Sequence, residues 1–403
     1  MSCKTLNRIL MGACMPACMT ALAGALGAMA GAAQAGTLTT IHNFAGAADG
    51  SSPVDGLMLS ASGAFYGTTS GGGAAGLGVV FRMGSLGHET VLHSFMGGTD
   101  GATPNGGVIE GAGNTLFGTT TAGGAHGAGT VYSVQAGKET VLYSFAGGSG
   151  DGATPFAGLV LDAGGNLYGT TSAGGKAGTG TVFELVAPAV KNGPWTEKVL
   201  YSFAGGTDGA TPVGRVAFDS SGRIYGTTST GGTKGYGIVF ELQPSGSSWT
   251  ETVLHNFADG TDGGTPYAGL VADASGNFYG AATQGGVNGG GTVFELSPVS
   301  GGYTFSVPAS VPGWGISGTF RDVLLDKSGV IYATTHCDGT GSGSIYQLTQ
   351  SGGAWTYSVL FNFNGGSNGQ YSISNLALKG KTFYGTTIQG GSNGAGTVYA
   401  FKP

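Results

Sequence analysis

The sequence is poor in charge: only 9% of its 403 residues are Asp, Glu, Lys or Arg, with 15 Lys and Arg against 21 Asp and Glu. Without a basic stripe to meet phosphates, nucleic acid is excluded as a partner. Cysteine is scarce as well. Three of the four, Cys3, Cys14 and Cys18, fall in the first 18 residues, and once that segment is removed Cys337 has no partner, so no disulfide framework can carry the fold. After residue 35 no apolar run is long enough to span a bilayer. The chain also lacks the high net charge of a disordered protein and the three-residue period of collagen.

What is abundant is glycine, 85 residues, recurring at fixed places beside alternating apolar residues. Before that pattern begins, residues 1–35 read as an export signal: Lys4 and Arg8, an apolar run from Ile9 to Ala30, and Ala33-Gln34-Ala35 as a small-residue cleavage site. An uncleaved anchor is the competing reading, weakened by Pro16 and the many small residues of the run. Cleavage would leave a chain with 13 Lys and Arg against 21 Asp and Glu, a net charge of −8, in a secreted, periplasmic or cell-surface location.

From residue 36 to 403 one unit is written seven times. Each copy is pinned by an aromatic residue followed by Gly-Thr-Thr or a near match, at Tyr66, Phe117, Tyr168, Tyr225, Tyr279, Tyr332 and Tyr384, with spacings of 51, 51, 57, 54, 53 and 52. A period of this size denotes a propeller, solenoid or array. Within the copy running from Gly158 to Leu185, short β-branched and aromatic runs at Gly158–Asp162, Asn166–Thr171 and Gly180–Leu185, followed by Glu197–Phe203, predict four strands bounded by turn residues. The expected fold is therefore all-β: a seven-bladed β-propeller of four-stranded antiparallel blades in one domain. The chain begins with a fourth-type strand, Thr39–Phe44, and ends with a third-type strand, Gly396–Phe401. Pairing the two would close the ring, provided that the poorly matching Tyr303–Val307 serves as the fourth strand between blades 5 and 6.

The complete form of the unit, GLVLDAGGNLYGTTSAGGKAGTGTVFEL at Gly158–Leu185 with ETVLYSF between copies, resembles the GloVer (Gloeobacter and Verrucomicrobium) tandem repeat over essentially everything after the leader. That resemblance implies an exported bacterial protein with a propeller fold, and it brings no activity with it. The period also suits kelch blades, but here the double glycine follows the second strand instead of ending it.

Repetition supplies an internal control, since positions that obey the pattern are explained by the blade. Asp49, Asp100, Asp151, Asp208 and Asp262 recur in an Asp-Gly-Ala-Thr-Pro type of turn, where Asp would cap backbone amides; a calcium ring would need more oxygens than one Asp per blade supplies. His42, His93 and His255 share one repeat position with Tyr143, Tyr201 and Phe361, so they read as packing residues, and one His per blade predicts no metal site. Trp195, Trp249 and Trp355 recur before the fourth strand and read as covers for the blade edge.

The exceptions are few. At the start of the innermost strand, where most copies hold small or apolar residues, stand Asp55, Arg215, Arg321 and Asp322. The sixth copy also replaces its Asp-Gly-Ala-Thr-Pro turn with Val311–Gly318, which contains Trp314, and carries His336-Cys337-Asp338 after its second strand. On the expected topology Trp314, Arg321, Asp322, His336, Cys337 and Asp338 share one face of one blade. A pocket there could take a carboxylate on Arg321, a hydroxyl on Asp322 or Asp338, and a ring on Trp314. The competing reading is a decayed blade with a surface ion pair. His336 and Cys337 are adjacent on an extended segment and point opposite ways, which argues against a thiol nucleophile with its base.

Two functions follow as expectations. The first is a non-catalytic binding or scaffold module, a monomer without cofactor, meeting an extracellular glycan or an envelope protein through its loop-rich face. The second is an exported lyase or hydrolase working at the channel mouth near blade 6.

Overall fold

A computed structural model describes residues 36–403, apart from 85, 191–192, 247, 314–317 and 339–340. The leader and Trp314 therefore lie outside the described residues. Seven four-stranded antiparallel sheets stand around a common axis. Blade 3 shows the pattern: Val160–Leu161 innermost, then Leu167–Thr171, Thr181–Val186 and Thr196–Ser202 outermost. The innermost ladder is shorter than the sequence predicts, because its upper part leaves the sheet to line the channel. Blade 5 takes Gly302–Pro312 as its fourth strand, which includes the poorly matching segment.

Blade 7 is built from both ends of the chain. Its outer strand, Thr37–Asn43, pairs antiparallel with Thr397–Lys402, so the ring closes as expected and neither edge is left open. Phe44, directly after that strand, is fully buried beside Leu57, Phe65 and Phe81 of blade 1.

Alternation places apolar side chains on both faces of each sheet, and each face is covered by a neighbouring blade. In Thr181–Val186, Val182 packs toward blade 4 while Phe183 and Leu185 pack toward blade 2. Among the described residues there is one such apolar cluster at each of the seven junctions. Burying a side chain of the size of Phe183 contributes roughly 1.5–3 kcal/mol. Trp195 and Trp355 bridge junctions too, lying edge-on to Phe117 and Tyr279 of the preceding blades. Gly169 differs from expectation: it admits its own blade's Phe183 ring, whose Cζ would lie 2.8 Å from an added Cβ, rather than a neighbouring sheet.

The Asp-Gly-Ala-Thr-Pro turn does more than reverse the chain. Asp151 accepts from the Ala146 amide at 2.6 Å and from the Tyr143 hydroxyl at 3.0 Å, as a capping residue should. Thr154, before the proline, adopts a left-handed φ of 56°, as do Thr103, Thr211 and Thr265 at the same position. That conformation is uncommon for a β-branched residue and holds only where the surroundings enforce it. Here the Thr154 amide donates to Ala128 of the preceding blade at 2.8 Å, and its carbonyl accepts from Ser172 of its own blade at 3.1 Å. The turn thus staples successive blades on the upper face.

Candidate functional site

The residues following the turn prolines of blades 1 to 5, and their equivalents Phe320 and Ile373 in blades 6 and 7, converge on the axis. Val54, Phe156, Val213, Tyr267, Phe320 and Ile373, with Ile388, form a buried apolar cluster that fills the upper mouth of the channel. Asn105 takes the equivalent position in blade 2 and is also fully buried. The loop-rich mouth is thus a packed layer.

One residue below this layer stand Asp55 and Arg321. Arg321 is buried and reaches across the channel, donating from Nε to the Val54 carbonyl at 3.1 Å and from Nη2 to the Asn105 carbonyl at 2.8 Å, with its guanidinium 5.1 Å from the centre of the Phe156 ring. Asp55 accepts from the Gly56 amide at 2.7 Å, the Gly107 amide at 2.5 Å and Asn375 Nδ2 at 3.0 Å. Both side chains tie blades together through main-chain groups.

The next layer is mostly glycine: Gly56, Gly107, Gly158 and Gly269 alternate with Arg215, Asp322 and Asn375. Glycine is required where strands crowd the axis. A Cβ on Gly269 would run into the Arg215 carbonyl and come within 2.9 Å of Asp322 Oδ1. Asp322 accepts from the Gly269 amide at 2.7 Å and meets Arg215 Nη2 at 2.6 Å. The Asp322 side chain is 8% exposed, whereas that of Arg215 is 37% exposed. The charge of Asp322, supplemented by that of Asp55, holds the Arg215 guanidinium above its ordinary pKa against the cost of burial, so it is a permanent cation.

Below this layer the channel widens into a cavity of about 310 Å³, whose lining includes Arg215, Met58, Ile109, Val271 and Leu324. A more open space of about 410 Å³ shares Ile109, Arg215 and Val271 with it and adds Val160. Asp55, Arg321, Asp322 and Asn375 also line the first cavity beside its aliphatic side chains, and Arg215 is the most exposed of the charged groups there.

The structure therefore gathers Asp55, Arg215, Arg321 and Asp322 from blades 1, 4 and 6 around one axis. The other sixth-blade residues are placed apart from them. His336 is buried in the upper layer, its ring 5.3 Å from that of Phe320 and 4.8 Å from that of Tyr371. Asp338 is buried and accepts from the Thr335 hydroxyl at 3.2 Å. Cys337 is buried and disulfide-bonded in the full chain.

A second polar feature escapes blade-by-blade counting. The recurring Asp and His or Tyr meet a Glu from the next blade: His42 and Asp49 face Glu89, His93 and Asp100 face Glu139, and Glu197 and Glu251 stand near Asp151 and Asp208. Burial first, then the neighbouring Asp, pushes Glu89, Glu139, Glu197 and Glu251 up to about 7. The expectation that one His per blade cannot assemble a metal-ligand set assumed that each blade acts alone. At the junctions two blades contribute to each group. Its signal in the sequence was the Glu that recurs at the start of the fourth strand in blades 1 to 4.

Among the described residues no helix is long and apolar enough to cross a membrane. No curated protein matches the chain. Several solved structures share its fold. A candidate 6-phosphogluconolactonase from Bacteroides uniformis aligns with a TM-score of 0.53 at 18% identity, over 82% of this chain and 89% of that one. The extracellular domain of a candidate one-component system from B. thetaiotaomicron aligns with a TM-score of 0.56 at 10% identity, over 90% of this chain and 39% of that one. A puromycin-hydrolyzing peptidase from Mycobacterium tuberculosis gives 0.51 at 12% identity, over 82% and 48%. At these identities the likeness is one of fold alone. The repeat itself is specific: the model of the Gloeobacter/Verrucomicrobia repeat matches residues 22–183 and 161–399, and the chain belongs to that family.

Proposed function

We propose that this chain is an exported, non-catalytic binding module that takes a small carboxylate with an aliphatic body, or the carboxylate-bearing tip of a larger glycan or envelope protein, in the cavity below the charged layer. The observation that carries this reading is Arg215: a permanent cation, 37% exposed, lining a cavity whose other walls are in large part aliphatic, with Nη2 engaged by Asp322. Its remaining donors are what the cavity offers an anion, and an apolar pocket with few polar groups is the usual form of a small-molecule site. The aliphatic part of the lining, Met58, Ile109, Val271 and Leu324, suits an alkyl body.

The competing reading, an exported lyase or hydrolase, would have to draw its base from Asp55 or Asp322. Both carboxylates already accept main-chain N–H groups, and Asp322 also meets Arg215, so both are engaged in holding the scaffold. Calorimetric titration with hexanoate and hexanol tests the proposal. Hexanoate should bind, hexanol should not, and Arg215→Gln should weaken hexanoate at least about tenfold. Equal binding of the alcohol, or unchanged binding by Arg215→Gln, would overturn it.

A further inference from the structure

The junction that closes the ring carries a group of side chains that the binding pocket does not use. His42 lies on the N-terminal strand that completes blade 7, Asp49 on the turn that follows it, and Glu89 at the start of the outer strand of blade 1. His42 Nε2 is 3.6 Å from Asp49 Oδ2 and 3.6 Å from Glu89 Oε2, too far for hydrogen bonds in either direction. Among the described residues, His42 Nε2, Asp49 Oδ1 and Glu89 Oε1 are buried atoms with no hydrogen-bond partner. The Glu89 side chain is only 8% exposed and is aimed into the group, so its orphaned oxygen needs a positive partner.

The sibling junctions share the unpartnered Glu oxygen, at Glu139, Glu197 and Glu251, but differ in how the His or Tyr meets its Asp. His93 Nε2 is 2.9 Å from Asp100 Oδ1 and His255 Nε2 is 3.0 Å from Asp262 Oδ2, both direct hydrogen bonds. At the His255 junction Phe305 stacks on the imidazole at 3.6 Å. Tyr143 donates to Asp151 at 3.0 Å. At the closing junction the same residue types stand apart instead.

We propose that His42, Asp49 and Glu89 bind one divalent transition-metal ion of the zinc type, which clamps the N-terminal strand to blade 1 and so locks the ring. One imidazole and two carboxylates form a recognised zinc ligand set, with water completing the shell. Ligands about 2.1 Å from a tetrahedral ion lie about 3.4 Å apart, close to the two 3.6 Å separations from His42 Nε2. Calcium fits less well, since it prefers six to eight oxygens and no imidazole. Two carboxylates, Asp49 and Glu89, share the group with the imidazole, and a cation would offset their mutual repulsion.

The test is a Zn²⁺ titration of the metal-stripped full chain, followed by calorimetry and thermal unfolding. Glu89→Gln and His42→Tyr remove one ligand each, and the second should fold because the repeat already places Tyr143 and Tyr201 at that position. Glu139→Gln, at the neighbouring junction, is the control. The proposal expects one Zn²⁺ equivalent whose affinity falls at least about tenfold in both ligand variants but not in Glu139→Gln, and a wild-type Tm that climbs with free Zn²⁺. Binding that survives both Glu89→Gln and His42→Tyr, binding lost only in Glu139→Gln, or a Tm indifferent to Zn²⁺ would overturn it.

Discussion

Replacing Arg321 by Met decides whether the buried cation on the axis is a brace or a ligand arm. The side chain is 7% exposed and its guanidinium serves carbonyls in two other blades, Val54 at 3.1 Å and Asn105 at 2.8 Å. Hydrogen bonds from a charged donor contribute about 1.5–3 kcal/mol each. The contact with Phe156 adds about 0.5–2 kcal/mol. Met keeps the length and the packing against Phe156, and it avoids the cost of burying a charge. Set against the lost bonds, that leaves an expected destabilisation of about 3 kcal/mol, at the lower end of the range for breaking a buried charged network. In urea unfolding followed by tryptophan fluorescence, with m near 3 kcal/mol/M, the midpoint should fall by about 1 M. Arg321→Lys, a point charge without the fork that spans two carbonyls, should fall in between. A shift below about 0.3 M for Arg321→Met would refute the bracing role. So would a folded Arg321→Met protein that loses carboxylate affinity more than about tenfold, because the account gives ligand contact to Arg215.

Two further outcomes can be checked. Glu197 and Glu251 have folded pKa values of about 7 against an ordinary 4.5, raised by burial and by Asp151 and Asp208. Folded chains therefore hold protons that unfolded chains have released between these values, and the stability so contributed is full below 4.5 and lost as pH rises through 7. Glu197 faces Asp151 and Tyr143, and Glu251 faces Asp208 and Tyr201, so Glu197→Gln with Glu251→Gln, which mimics the protonated acids, should raise Tm near pH 8 and flatten its decline from about pH 5. Gly269→Ala should destabilise by roughly 1–3 kcal/mol and weaken carboxylate binding, since its Cβ would strike the Arg215 carbonyl and crowd Asp322. A Gly269→Ala protein with wild-type urea midpoint and affinity would contradict the packing described for that layer.

The fold was legible because the chain repeats it. Tyr66 to Tyr384 mark seven units, and the mismatched ends, Thr39–Phe44 and Gly396–Phe401, identify the strand exchange that closes the ring. The axial charges were legible for the same reason: Asp55, Arg215, Arg321 and Asp322 break a pattern of small residues. Their roles were not, because hydrogen bonds such as Arg321 to Val54, 267 positions apart, depend on how seven innermost strands converge. The packed upper mouth was hidden in a similar way. Val54, Phe156 and Phe320 look like single residues after a turn, and only the ring turns them into a layer. Glu89, Glu139, Glu197 and Glu251 were hidden by regularity, since a recurring residue reads as scaffold even when it completes a group with the preceding blade. The left-handed Thr154 carried no local signal, as a β-branched residue before proline would ordinarily be extended.

The central claim is that the channel binds a carboxylate from below, against Arg215. A crystal structure of the chain saturated with hexanoate measures this most directly. The account predicts the carboxylate on the Arg215 guanidinium, with the alkyl chain along Met58, Ile109, Val160, Val271 and Leu324, and Arg321 still bonded to Val54 and Asn105. A carboxylate on the upper face beside His336 or Asp338, or one that draws Arg321 out of its bonds, would contradict it.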